Sequence, residues 1–142
     1  MFQILDARQA AGMIKDGDCV CVNAFLALSN AEEIHKAIYD RFKETGSPNN
    51  LTLITQSGYG AWDENRLGEP YIRAGAVRKI ISGHYGCMLS TKQLVLQNQF
   101  EAYNLPMGVI SHTIRTQAAG MPGCLSRVGL GIFVDPRIEG PG

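Results

Sequence analysis

Short runs of apolar, β-branched or aromatic residues recur along this chain, each of strand length. They are "CVCVNAF" (19–25), "LTLIT" (51–55), the start of "VRKIISGHYG" (77–86), "FEAYNLP" (100–106) and "GIFVDPR" (131–137). Helical spacing fills most of the gaps. In 6–15, Ala7, Ala10, Ala11 and Ile14 fall on one face, Asp6 is placed to cap, and Gln9 follows three residues later. After Asn30, a second cap candidate with Glu33 at the capping-box position, Ile34, Ala37, Ile38 and Phe42 form a stripe that Gly46 and Pro48 end. The segments 90–99 and 109–120 also read as helices. The stretch 56–75 reads mostly as loop, with a short helix around 66–74 and Trp62 as a packing anchor. Strands that alternate with helices must be joined by crossovers, which implies an α/β structure with a mostly parallel sheet. The unbroken apolar start of "CVCVNAF" predicts a central strand buried on both faces. With no repeat, low-complexity tract or linker, residues 1–142 are expected to form a single α/β domain.

Charge narrows the partners. Thirteen basic residues balance thirteen acidic ones, which argues against nucleic acid or an anionic membrane surface as the main partner. No apolar run approaches the ~20 residues of a membrane span. The amino terminus lacks a basic segment before an apolar core, so the cytoplasm is the expected compartment. Cys19, Cys21, Cys87 and Cys124 form no Cys-x-x-Cys pair, and three of them fall in apolar stretches where a thiol acts as a small hydrophobe. No metal site is expected from that spacing.

In open α/β sheets ligands sit beyond the carboxyl ends of the strands. The loops to watch are therefore "NAFLALSN" (23–30), "QSGYG" (56–60), "GHYG" (83–86) and "PMG" (106–108). None matches a dinucleotide or P-loop phosphate fingerprint. His84, between two glycines, is either an acid–base group or a turn residue. His35 and His112 lie in helices, where they cover surface or bond neighbours. Ser29 lacks a nucleophile elbow and reads as part of a helix cap. From the residues alone, this is a ligand-binding α/β chain without a convincing nucleophile.

Larger segments carry a resemblance. "IKDGDCVCVNAF", "ETGSPNNLTLI", "ISGHYG", "EAYNLPMGVISHTIR", "AAGMPG" and "VGLGIFVDPR" resemble family I coenzyme A transferases, in order, from about Leu5 to Arg137. The acetate and propionate CoA-transferases are the nearest type. The resemblance implies a Rossmann-like unit, of which this chain is the front of the first half. It implies transfer of CoA between carboxylic acids through a glutamyl-CoA intermediate. No cofactor is permanently bound, and the CoA thioester is itself a substrate. The nucleophilic glutamate belongs to a second half or β subunit, and Glu139 is not that residue. No catalytic nucleophile is thus expected in this chain, which alone should not turn over. A carboxyl-terminal or β partner and a homo-oligomer are expected. The sequence ends at "IEGPG", where family members continue, as a truncated product, a piece of a longer polypeptide or an accessory subunit.

Residue by residue, the resemblance assigns the acyl-CoA wall to Asn23, Ala24, Phe25, Gly83, His84, Met107 and Gly108. Four positions depart from the family pattern. Asn23 and Ala24 replace paired glycines before Phe25, and Ala31 stands where a proline is usual. Met107 replaces the glutamine of a Pro-Gln-Gly turn, whose amide faces the reacting group. A thioether donates no hydrogen bond, so either other donors serve a bulkier or more apolar acyl group, or this copy is impaired. The competing reading is a non-catalytic α/β module that binds a small molecule or plays a structural part.

Overall fold

The computed structural model of the chain describes residues 3–135, Arg137 and Ile138; Pro136 and Glu139 lie outside them. The elements run α1 (Ala7–Gly12), β1 (Cys19–Val22), α2 (Glu32–Thr45), β2 (Leu51–Thr55), α3 (Glu69–Arg73), β3 (Val77–Ser82), α4 (Leu89–Leu96), β4 (Glu101–Asn104) and α5 (Met107–Ala118). The strands form one sheet in the order β1-β2-β3-β4, and every neighbouring pair is parallel. The α/β parallel architecture therefore follows the strand–helix alternation in the sequence.

Side-chain alternation along parallel strands divides the sheet into two unlike faces. Leu51, Leu53 and Thr55 of β2 and Ile80 and Ser82 of β3 point to one side and are buried. Ile38 of α2, Tyr71 and Ile72 of α3, and Met88 before α4 join the core on that side. Each fully buried Leu or Ile there contributes on the order of 2 kcal/mol. Asp6 and Gln9 form the expected capping box of α1. Arg41 of α2 ties the end of α1 to its own helix by donating to the Ala11 and Ile14 carbonyls at 2.8 and 2.6 Å.

The opposite face carries the rows Cys19–Thr52–Lys79–Glu101 and Cys21–Ile54–Ile81–Tyr103. Cys19 and Cys21 are exposed, so β1 is an edge strand with one wet face, not the doubly buried central strand its composition predicts. That central place belongs to β2. Only Val20 and Val22 of β1 pack against the core, and among the paired cysteines neither acts as a buried hydrophobe.

Other departures have local causes. Asn30 does not cap α2; its amide turns back to the Leu26 carbonyl. Ala31 becomes the N-cap without a side-chain bond, and Ser29 is left in the left-handed region at φ 60°. Trp62 is 59% exposed and anchors nothing. The expected fifth strand is absent among residues 131–135. Gly129 and Gly131 take φ values of 105° and 79°, and the Asp135 carboxylate accepts from Gly131 N at 2.7 Å, which curls the segment into turns instead of extending it. No helix of the described residues is long and apolar enough to cross a membrane.

Candidate functional site

The carboxyl ends of the four strands form one rim, and close backbone contacts lace its loops together. Beyond β1, Ala24 is buried while Phe25 is 57% exposed. Phe25 and Leu28 pair across a two-residue turn, and Leu26 N donates to Ser57 Oγ at 3.1 Å. Ser57, the second residue beyond β2, is buried and lies 3.4 Å from the Ala24 carbonyl oxygen. The β1 loop thus hangs on the β2 loop through one hydroxyl.

Glycines join β2 to β3 by leaving no room for a side chain. A Cβ on Gly58 would stand 2.7 Å from the His84 carbonyl oxygen, and one on Gly60 would strike the Cys87 carbonyl and stand 2.7 Å from Met88 N. At Gly83 a Cβ would overlap the Gln56 carbonyl oxygen and stand 2.5 Å from Met107 Cγ. Gly83 therefore brings the exits of β2, β3 and β4 to one point.

His84 is half-buried and held by its own turn. Ser82 Oγ donates to the His84 carbonyl at 2.7 Å, and His84 Nδ1 accepts from Gly86 N at 3.2 Å. That bond places the remaining ring proton, by inference, on Nε2. The Tyr85 hydroxyl lies 3.0 and 3.1 Å from the Ile80 and Tyr103 carbonyl oxygens. It pins β3 to β4, and burial pushes its phenol above the usual range.

Pro106 is the N-cap of α5 and offers no side-chain cap. Met107 and Gly108 open the helix with their backbone N–H groups at its positive end. Met107 is 40% exposed, and a Cβ on Gly108 would meet nothing within 4 Å. The rim also lacks cations: no Lys or Arg occurs in 23–30, 56–60, 83–86 or 105–108. Its donors toward a ligand are neutral amides and an imidazole.

The seven residues assigned from the sequence do not form one cluster. Gly83, His84, Met107 and Gly108 gather at the β3–β4 end, with Met107 packed on Gly83. Asn23, Ala24 and Phe25 follow the edge strand β1, three strand spacings from β4, or roughly 14 Å at ~4.8 Å per spacing. A small acyl group cannot touch both ends, whereas an extended ligand can cross the rim. Gln56 and Ser57, which link the two ends, were not among the assigned residues. Their signal was "QSGYG" at the exit of "LTLIT", the most buried strand.

A cleft of about 390 Å³ between α2 and α3 is lined by Glu32, His35, Tyr39, Leu67 and Arg73, none of them among the seven assigned residues. His35 backs it, stacked between Tyr59 and Tyr71, with Nδ1 3.0 Å from Tyr71 Oη. Burial pushes its pKa down to about 4 despite the Glu32 carboxylate. It therefore bonds a neighbour, one of the two roles expected of a helical histidine, while His112 is exposed. Among the described residues no three His, Cys, Asp or Glu side chains gather as for a metal.

Comparison with known proteins places this chain in a family. The model described as "Coenzyme A transferase" matches residues 4–142. A caffeate CoA-transferase of Acetobacterium woodii is 41% identical over 143 residues, covering 99% of this chain and 26% of the relative. An acyl-CoA transferase of Escherichia coli O157:H7, solved as a thioester complex with CoA, superposes with a TM-score of 0.83 at 35% identity, covering 94% of this chain and 26% of that one. The alpha subunit of an acetate CoA-transferase from Escherichia coli K12 is 26% identical, covering 94% of this chain and 57% of the subunit. The chain spans about a quarter of the length of the longer relatives, and by this match it belongs to the coenzyme A transferase family.

Proposed function

We propose that this chain forms one wall of the acyl-CoA site of a CoA-transferase that moves CoA between short-chain carboxylic acids through a glutamyl-CoA intermediate. One observation carries the reading. The rim supplies neutral donors and apolar surface but, in its four exit loops, neither a carboxylate nor a cation. Such a wall can hold a thioester and stabilise charge on its carbonyl oxygen, yet it cannot attack it. The nucleophilic glutamate then comes from a partner half, and the isolated chain is inactive. A relative that is itself an alpha subunit supports a two-part arrangement, and a CoA complex among the solved relatives supports CoA thioester as the substrate.

The partner also answers the open surfaces. Parallel sheets ordinarily have both faces covered, while here the Cys21–Ile54–Ile81–Tyr103 row borders solvent at Cys21. Met121, Leu125, Val128, Leu130 and Phe133 are exposed as well. We read residues 1–142 as one α/β unit that needs this cover, in an assembly that repeats as a homo-oligomer.

The test combines the chain with its glutamate-bearing half, an acyl-CoA and acetate. A borohydride-reducible glutamyl-CoA adduct, formed only by the mixture, is the expected result. Two folded halves that yield no adduct overturn the transferase reading and leave the non-catalytic module.

A further inference from the structure

Building on the transferase reading, we infer that the side-chain amide of Gln56 supplies the hydrogen bond that Met107 lacks, and that it holds the acyl carbonyl or carboxylate at this rim. Gln56 is the first residue beyond β2, and its main-chain carbonyl oxygen and Met107 Cγ pack on the same side-chain-free point at Gly83. Two exits that the sheet order would hold two strands apart are thereby drawn together.

The side-chain hydroxyls around Gln56 are engaged or enclosed. Ser57 Oγ is taken by Leu26 N and the Ala24 carbonyl, and Ser82 Oγ by the His84 backbone. The Tyr85 hydroxyl is taken by the Ile80 and Tyr103 carbonyls. Thr55 Oγ1 and Tyr59 Oη have no partner but are sealed in the core. Gln56 differs: it is half-buried, and its amide joins none of the side-chain hydrogen bonds among the described residues, although its neighbour Ser57 makes three. A half-buried amide with no protein partner among the described residues is available to donate to a ligand at the rim. It acts beside the free Met107 and Gly108 N–H groups at the start of α5, while His84 Nε2 remains on the β3 side.

The division of labour has a chemical consequence. An amide reaching from the β2 side leaves the Met107 thioether facing the rest of the acyl chain, so polar recognition and apolar accommodation come from different strands. The acid favoured by this arrangement carries an apolar group next to its carboxyl carbon.

The chain assembled with its glutamate-bearing half, with acyl-CoA and a carboxylate acceptor as probes, provides the test. Gln56→Ala is expected to lower kcat about a hundred-fold, the size of a lost oxyanion donor, with KM for acyl-CoA little changed and the melting temperature retained. Gln56→Asn is expected to recover part of the loss. Adding Met107→Gln to Gln56→Ala should restore the rate, because the amide returns to the other side of the same glycine; a merely structural Gln56 would not be rescued this way. A Gln56→Ala rate within about threefold of wild type, or loss without rescue by Met107→Gln, overturns the inference while leaving the transferase reading intact. Absence of exchange by the unsubstituted assembly overturns both.

Discussion

The strand-exit rim and the carboxyl-terminal segment 119–135 are both rich in glycine, and they use it in largely different ways. In the rim, carbonyls and side chains of neighbouring loops occupy the space a Cβ would need at Gly58, Gly60 and Gly83, and Gly58 adds a φ of 74°. In the terminal segment, Gly120 and Gly131 have nothing within 4 Å of such a Cβ, and they serve through φ values of 74° and 79°. Leu125 and Phe133 there stay exposed. Asp135 is the exception, enclosed by its own turn: the Arg137 side chain and the Gly131 and Arg137 backbone N–H groups hold its carboxyl well below the usual range. Glycine in a loop therefore says little until its neighbours are known. At a packed rim it marks inter-strand contact, and in an uncovered segment it marks a turn.

The hardest test of that contrast is Gly60→Ala. The new methyl meets backbone atoms of Cys87 and Met88 that cannot rotate away, so unfolding in urea should show a loss at or above the ~3 kcal/mol upper end of ordinary overpacking.

Next comes acid. His35, beneath the packed side, has a folded pKa of about 4 against an unfolded value of 6.5. Its contribution is fully present above pH 6.5 and is lost as pH falls toward 4, because the unfolded chain takes up the proton first. The loss should reach roughly 3 kcal/mol by pH 4, and His35→Phe should flatten that part of a stability–pH profile.

Glu69 is third. Its buried Oε2 accepts from Ser90 Oγ, from Thr91 N at 2.9 Å and from Thr91 Oγ1 at 2.8 Å, and so caps α4 from outside. Glu69→Ala should cost about 2 kcal/mol in denaturant midpoint analysis. Met107→Gln in the assembled enzyme is a smaller, purely functional change: relative kcat/KM for an apolar-substituted acid over acetate should fall about tenfold. An unchanged ratio would assign Met107 to packing alone. Least of all, Gly123→Ala in the open segment meets no atom and takes no left-handed φ, so stability should move by less than ~0.5 kcal/mol. A large effect there would erase the contrast.

Much of the architecture was legible in the chain. The alternation of strand and helix patterns identified four of the observed strands and the parallel sheet, and the Asp6–Gln9 capping box was readable from spacing. The four exit loops were also found, because the rule that ligands sit beyond strand ends needs only the strand positions. Other features resisted. Burial of β1 depends on which neighbour it pairs with, and "CVCV" carries no information about being an edge. Asn30 failed as a cap because Leu26 offered its amide a carbonyl from a turn that local spacing does not reveal. "GIFV" has strand composition, yet two left-handed glycines and the Asp135 carboxylate bent it.

Sequence by itself determined the strand–helix rhythm, the family, and the substitution of a thioether for an amide at position 107, since each is a property of consecutive residues. Tertiary structure alone decided that Asn23–Phe25 and Met107 stand at opposite ends of the rim, and that Gln56 comes to rest beside Met107. The reason is that strand order and loop collapse onto Gly83 are set by non-local packing, which places residues some fifty positions apart against one backbone atom.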